Sequence, residues 1–193
     1  NLRKALAYTL AFKNVGPAAG ASLAHAHSQL LATPFVPPLV REELDAAADH
    51  FARTGKCVFC ELVAAERGGP RVVTESSDFV AVTAFAPRFA YEVWVLPKSH
   101  AARYGAAPDG QLDDLAGLVK RVAGALDAVL GPVAFNWYIH TAPHRSPELP
   151  HYHWHLEILP RTATPAGFEW GAGCHVTVTA PEAAAADLRR AMS

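Results

Sequence analysis

His151-Tyr152-His153-Trp154-His155-Leu156-Glu157 reads at strand spacing, and a shorter run, His25-Ala26-His27-Ser28-Gln29, repeats the pattern 126 residues earlier. On a strand, residues i and i+2 share a face. The long run is therefore expected to carry His151, His153, His155 and Glu157 on one face and Tyr152, Trp154, Leu156 and Ile158 on the other. The short run is expected to set His25, His27 and Gln29 on one face of a strand over 23–33. Titratable faces of this kind suit a phosphate, a metal, or both.

Outward from these runs, strands are expected at 6–13, 71–75, 79–84, 91–96, 133–140 and 175–179. Helical apolar spacing marks 39–54, 59–66, 181–192 and most clearly 111–130, where Leu112, Leu115, Val119, Val122, Leu126 and Val129 share a face. Gly167 to Gly173 reads as a turn-rich connection. Strands and helices in this order predict an α+β fold with a largely antiparallel sheet. Each histidine run also follows an Asn-bearing strand (Asn14, Asn136), which hints at two related halves.

The chain has 193 residues, 51% hydrophobic and 18% charged. That is enough to bury a core and too apolar for disorder. A net charge of −1 gives no footprint for nucleic acid or an acidic membrane surface. No apolar run reaches the roughly 18 residues that a membrane helix needs. Asn1-Leu2-Arg3-Lys4 carries neither an initiator Met nor a signal-peptide pattern and reads as the interior of a longer chain. With no targeting segment, a reducing compartment is expected, the cytoplasm.

Three chemistries follow from residue types. A neutral imidazole such as His27 can attack phosphorus and split a transfer into two steps. Gln29 can hydrogen-bond phosphoryl oxygens as charge builds. The small residues from Asn14 through Gly16 and Gly20 to Ser22 suit close backbone approach to a phosphate. Cys57-Val58-Phe59-Cys60 is a C-x-x-C pair. With two histidines, His100 and a member of the second run, it makes a tetrahedral zinc site; a redox dithiol or two buried thiols are the alternatives. Cys174 reads as a small buried apolar residue. Glu43, on an amphipathic helix, reads as a solvated charge. Lys98 and Arg161 flank the sites and could balance phosphate charge. His144 and His151 read as loop.

Asn14-x-Gly16-x-x-x-Gly20-x-Ser22-x-x-His25-x-His27-x-Gln29 resembles the active-site signature of the galactose-1-phosphate uridylyltransferase family, a branch of the histidine-triad superfamily. Cys57-Val58-Phe59-Cys60, Pro97-Lys98-x-His100, His153-Trp154-His155-Leu156-Glu157-Ile158-Leu159-Pro160, Gly167-Phe168-Glu169, Pro181-Glu182 and Leu188-Arg189 resemble its second half. The resemblance covers nearly the whole chain, as the C-terminal portion of a full member. It implies a histidine-triad-like antiparallel sheet with flanking helices. Residues 1–36 would end the first half and carry the nucleophile strand, 37–56 would be a connecting helix, and 57–193 would form the second half with a zinc site.

The resemblance also implies roles. His27 matches the nucleophile, with Gln29, Ser22, Gly20 and Asn14 holding phosphates. Gly167, Phe168 and Glu169 match a segment near the sugar. His25 matches a ligand of a first metal site whose other ligands lie outside this chain. Cys57, Cys60, His100 and His153 match a second zinc site of some members. Glu43, His140 and His155 match a different site of other members, for zinc or iron, with Glu157 in the place of a His. The C-x-x-C favours the zinc scheme. The activity implied is ping-pong uridylyl transfer between UDP-glucose and galactose 1-phosphate, in a homodimer, without nucleic acid or membrane. His25-Ala26-His27 departs from the usual His-Pro-His. Related enzymes that move adenylyl groups between ADP-glucose and phosphate also lack that Pro, which keeps ADP-glucose phosphorylase as an alternative. A zinc-stabilised nucleotide-binding module without catalysis is another.

Overall fold

A computed structural model describes residues 6–23 and 25–193. The opening residues 1–5 and Ala24, within the expected strand 23–33, lie outside the described residues.

The β4 strand (Phe79–Thr83) shows how the sequence builds the layers. All five of its residues are buried. Phe79 and Ala81 join one apolar cluster, and Val80 and Val82 join another on the opposite face. Such a continuous apolar run is what a strand covered on both faces requires. The first cluster receives Leu115, Leu118, Val122 and Leu126 from α3 (Asp109–Leu130) and Leu188 from α5 (Pro181–Ala191). The second receives Ala47 from α1 (Pro38–Thr54) and Phe59 and Val63 from α2 (Val58–Glu66). The helix expected over 111–130 thus starts two residues earlier, just after Pro108, and its apolar stripe is the core stripe.

Among the described residues the sheet has seven strands in the order β2-β1-β6-β7-β5-β4-β3, every neighbouring pair antiparallel. The remaining strands are β1 (Tyr8–Val15), β2 (Gln29–Thr33), β3 (Val72–Glu75), β5 (Val93–Pro97), β6 (Phe135–His140) and β7 (His155–Pro160). β1, one strand in from the β2 edge, pairs with β6 and sets Asn14 directly opposite Asn136. The expected α+β antiparallel architecture is what is observed.

Both histidine runs depart from the expected strand. β2 begins at Gln29, so His25 and His27 precede it. β7 begins at His155, so His151 and His153 precede it. The polypeptide is turning onto the sheet there, and two-residue alternation does not yet apply. Tyr152 accordingly packs in the second cluster while Trp154 packs in the first. Two further expectations fail. Residues 175–179 are not a strand, and Gly167–Ala172 form a short helix, α4, closed by Gly173 in the left-handed conformation. β2 is an edge strand with Leu30 and Leu31 exposed. Among the described residues no helix is long and apolar enough to cross a membrane.

Candidate functional site

His27 lies at the end of the link into β2, half-exposed, two residues before the ladder pair Phe12–Gln29. Its Nδ1 stands 2.9 Å from the His25 carbonyl oxygen. A carbonyl can only accept, so Nδ1 carries the proton and donates. In the neutral ring the lone pair is then on Nε2. His25 itself is exposed, and so are Ser22 and Gln29.

The turn before His27 is built from glycine. Gly16 has φ +80°, and a Cβ there would stand 2.9 Å from Ala134 Cβ, so both backbone and space demand glycine. Gly20 has φ +83° and closes the short 3-10 turn Pro17–Ala19 through an N–H donated to Pro17 O. Asn14, the last residue but one of β1, lies beside this turn. Its Oδ1 accepts from Asn136 Nδ2 at 2.7 Å, and the same Nδ2 donates to Ala19 O at 2.9 Å.

A second constellation joins the two cysteines to two histidines. Ligand atoms of Cys57, Cys60, His100 and His153 all lie within 4.8 Å of one another. Cys60 Sγ is 3.3 Å from His100 Nδ1 and 3.5 Å from His153 Nδ1. α2 starts directly after Cys57, so its first turn brings Cys60 round beside Cys57. Burial, reinforced by Cys57, pushes the Cys60 thiol up to about 11. Burial, then the neighbouring His100 and His155, pushes His153 down to about 4. Without a cation, then, the thiol keeps its proton and the imidazole is neutral. Two sulfur and two nitrogen donors at this spacing are the donor set of a closed tetrahedral zinc site, which would supply the charge that thiolates need.

A third cluster lies on the α1 side of β6 and β7. Cross-strand pairing sets His140 opposite His155 and Tyr138 opposite Glu157. α1 adds Glu43. Ligand atoms of Glu43, His140, His155 and Glu157 lie within 4.8 Å of one another. Glu43 Oε2 is 2.7 Å from His140 Nδ1, and His155 Nε2 is 3.3 Å from Glu157 Oε1. The other carboxylate oxygens are occupied: Tyr152 donates to Glu43 Oε1, while Tyr138 and Arg88 donate to Glu157 Oε2. His155 is fully buried, stacked between Phe59 and Trp94 with ring centroids 5.0 and 5.2 Å away. Burial alone would lower its pKa, but Glu43 and Glu157 outweigh that and raise it. Burial would likewise raise Glu157; the hydrogen bond and charge of His155, with Arg88 and His140, hold it far below the usual carboxylate range.

The expected single face of His151, His153, His155 and Glu157 is therefore split. His153 turns to the cysteines, His155 and Glu157 to Glu43, and His151 stands over Phe51. Glu43 is not a solvated charge but a partner of His140 and Tyr152. Lys98 donates to Ser76 O and pairs with Glu75. Cys174 is exposed, not buried. Gly167, Phe168 and Glu169 lie on α4, where Glu169 caps its own helix by accepting from Ala166 N at 2.9 Å. Among the described residues no hydrogen bond, ion pair or ring contact joins α4 to His25–Gln29. Arg88, Tyr138 and Tyr152 were not anticipated. The signal for Tyr138 was present, since antiparallel pairing of two histidine-bearing strands sets a β6 tyrosine opposite Glu157. Arg88 comes from a loop and left none.

With this geometry in hand, comparison with known proteins is specific. A HIT domain model matches residues 69–164. Over 94% of the chain there is 40% identity to an ADP-glucose phosphorylase from Arabidopsis thaliana, covering 51% of it. Identity is 30% to a galactose-1-phosphate uridylyltransferase from Thermotoga maritima, again over 94% of the chain and 59% of the relative. A solved uridylyltransferase structure superimposes with a TM-score of 0.92 at 33% identity, over 99% of this chain and 62% of that one. The chain spans about half the length of the curated relatives it matches.

Proposed function

Because the chain belongs to the histidine-triad superfamily, in the branch of galactose-1-phosphate uridylyltransferase, we propose that it carries the nucleophile of a ping-pong nucleotidyl transfer, with ADP-glucose as donor and inorganic phosphate as acceptor. The observation that carries this reading is the His27 ring. Its Nδ1–H is tied to the His25 carbonyl, and the half-exposed ring keeps the Nε2 lone pair for attack.

In the first step Nε2 attacks the α-phosphorus of the nucleotide sugar. The bond from that phosphorus to the bridging oxygen breaks, and hexose 1-phosphate leaves. In the second step an acceptor phosphate oxygen attacks the same phosphorus, the P–N bond breaks, and the His27 lone pair is restored. Asn14, Gly20 and Ser22 approach the phosphates from the turn, and Gln29 donates to the transferring group. Gly167, Phe168 and Glu169 serve the hexose.

The chain would hold zinc through Cys57, Cys60, His100 and His153, and there the ion is structural, with four protein donors closing its sphere. Glu43, His140, His155 and Glu157 offer nitrogen and oxygen donors for a second ion, zinc or iron. His25 would join a first site completed by residues beyond this chain. In the whole protein, residues 1–36 end one half, 37–56 connect, and 57–193 form the other, in a cytoplasmic homodimer.

The adenylyl assignment rests on the 40% identity to an ADP-glucose phosphorylase and on Ala26 between the histidines. A second reading keeps the chemistry and moves uridylyl between UDP-glucose and galactose 1-phosphate, favoured by the Thermotoga relative. Intact-protein mass spectrometry after brief incubation with each nucleotide sugar, before any acceptor is added, separates them. An adenylyl gain from ADP-glucose supports the first, and a uridylyl gain from UDP-glucose alone supports the second. No gain with either, in the full-length protein, removes both and leaves a binding module.

A further inference from the structure

Arg161, just past the end of β7, donates from Nε to Asn136 Oδ1 at 2.7 Å, and its guanidinium lies 4.8 Å over the Phe89 ring. Its backbone N–H donates to the carbonyl oxygen of Ala134, the residue before β6. Asn136 in turn spends its Nδ2 on Asn14 Oδ1 and Ala19 O. Each end of that amide is therefore fixed by a group with only one polarity. A guanidinium N–H only donates, and a backbone carbonyl only accepts. Asn136 cannot flip without setting N–H against N–H at one end and oxygen against oxygen at the other.

The constraint passes to Asn14. Its Oδ1 is committed to Asn136, so its Nδ2 carries the donors on the opposite side. That nitrogen lies 3.9 Å from where a Cβ would stand on Gly20, at the turn before His27. A phosphoryl oxygen only accepts, so this is the end of Asn14 that a phosphate needs. We propose that Arg161 is a positioning residue for the phosphoryl site: through Asn136 it holds the Asn14 amide with its donors toward the Gly16–Ser22 turn. Arg161 thereby links the second histidine strand to the loop of the first. The inference rests on the nucleotidyl-transfer reading for its effect on rate, but the amide orientation stands apart from it. Among the described residues, without Arg161 only Ala19 O opposes a flip of Asn136. A flipped Asn136 presents oxygen to Asn14 Oδ1, Asn14 turns over, and its own oxygen faces the phosphate.

The test is the single-turnover rate of adduct formation in the full-length protein with ADP-glucose and with UDP-glucose. Four forms are compared: wild type, Arg161→Met, Asn14→Ala and the double variant. Arg161→Met is expected to slow adduct formation about ten- to hundredfold, the scale for a misplaced donor near a transition state, with substrate affinity little changed. Once Asn14 is Ala, adding Arg161→Met is expected to cost less than about twofold, because the two act as one unit. Arg161→Gln, which keeps an N–H donor and the fold, is expected to recover part of the rate. Losses that multiply would show Arg161 acting on substrate independently of Asn14 and would overturn the inference, as would an Arg161→Met variant at the wild-type rate. If wild type forms no adduct, the transfer reading fails by itself. NMR of the side-chain amides then judges the positioning. Asn136 Nδ2 protons protected in wild type, with Asn136 and Asn14 signals shifted in both Arg161 variants, support it. Unmoved signals overturn it.

Discussion

In both His25-Ala26-His27-Ser28-Gln29 and His153-Trp154-His155-Leu156-Glu157 the second histidine turns Nδ1 back to the carbonyl two residues earlier, at 2.9 Å and 3.1 Å. The two rings differ in what faces Nε2. For His27, which precedes the edge strand β2, no hydrogen bond or ion pair to Nε2 is found among the described residues. For His155 it is Glu157 and Glu43, in a site sealed by Phe59 and Trp94. The fifth residue differs in the same sense: Gln29 is exposed and neutral, Glu157 buried and charged. One local geometry thus serves two ends. An uncommitted Nε2 is available to attack, and a committed one is part of the protein's interior.

The sharpest way to break this contrast is to remove each ring in turn. His27→Ala should cut nucleotidyl transfer by about 10⁴- to 10⁶-fold, the scale for losing a nucleophile, and leave thermal stability within about 0.5 kcal/mol. Rates from single-turnover assays and melting curves check both halves. His155→Ala should do the reverse. It leaves Glu43 and Glu157 facing each other without the imidazole, and about 3–5 kcal/mol of stability should go, while each molecule that remains folded transfers normally. A denaturant titration showing His155→Ala as stable as wild type would end the claim that the second ring is structural.

Zinc sharpens the comparison next. Cys60→Ser should lose the zinc that Glu43→Gln retains, read by elemental analysis of protein purified without chelator. With zinc a hundredfold above its dissociation constant the stability lost is about 3 kcal/mol. Zinc that survives Cys60→Ser would place the ion elsewhere.

The smallest effect is on alkaline stability. Burial, with Glu43 and Glu157 behind it, pushes Tyr8 up to about 12, and burial raises Tyr138 and Tyr152 as well. A phenol held above its unfolded value of roughly 10 binds its proton more tightly when folded. Its contribution is complete below pH 10 and lost as pH rises toward 12, about 2 kcal/mol for Tyr8. Tyrosinate absorbance from these three rings should appear together with unfolding. An ordinary titration in the folded protein would contradict their burial around the His155 site.

The sequence is most legible where a residue's role depends on spacing alone. The helix stripe of α3, the C-x-x-C beside a helix start, and the order of an Asn-bearing strand before each histidine run can all be read from residue order; that those strands also pair is seen only in the sheet. It is least legible where chain direction changes. Two-residue alternation predicts one face for His153 and His155, but the chain joins the sheet only at His155, so the two imidazoles serve different clusters. Glu43 looked solvated on helical spacing because its partners, His140 and Tyr152, lie about 100 residues away in sequence. Arg88 and Arg161 could not be placed without the loops that aim them.

The most direct test of the contrast is to map the adduct. Full-length protein is incubated with ADP-glucose or UDP-glucose, digested at alkaline pH to preserve the phosphoramidate, and sequenced by tandem mass spectrometry. The account predicts a nucleotidyl group on His27 and on no other histidine. A nucleotidyl group on His155, on His153 or on His25 would contradict it.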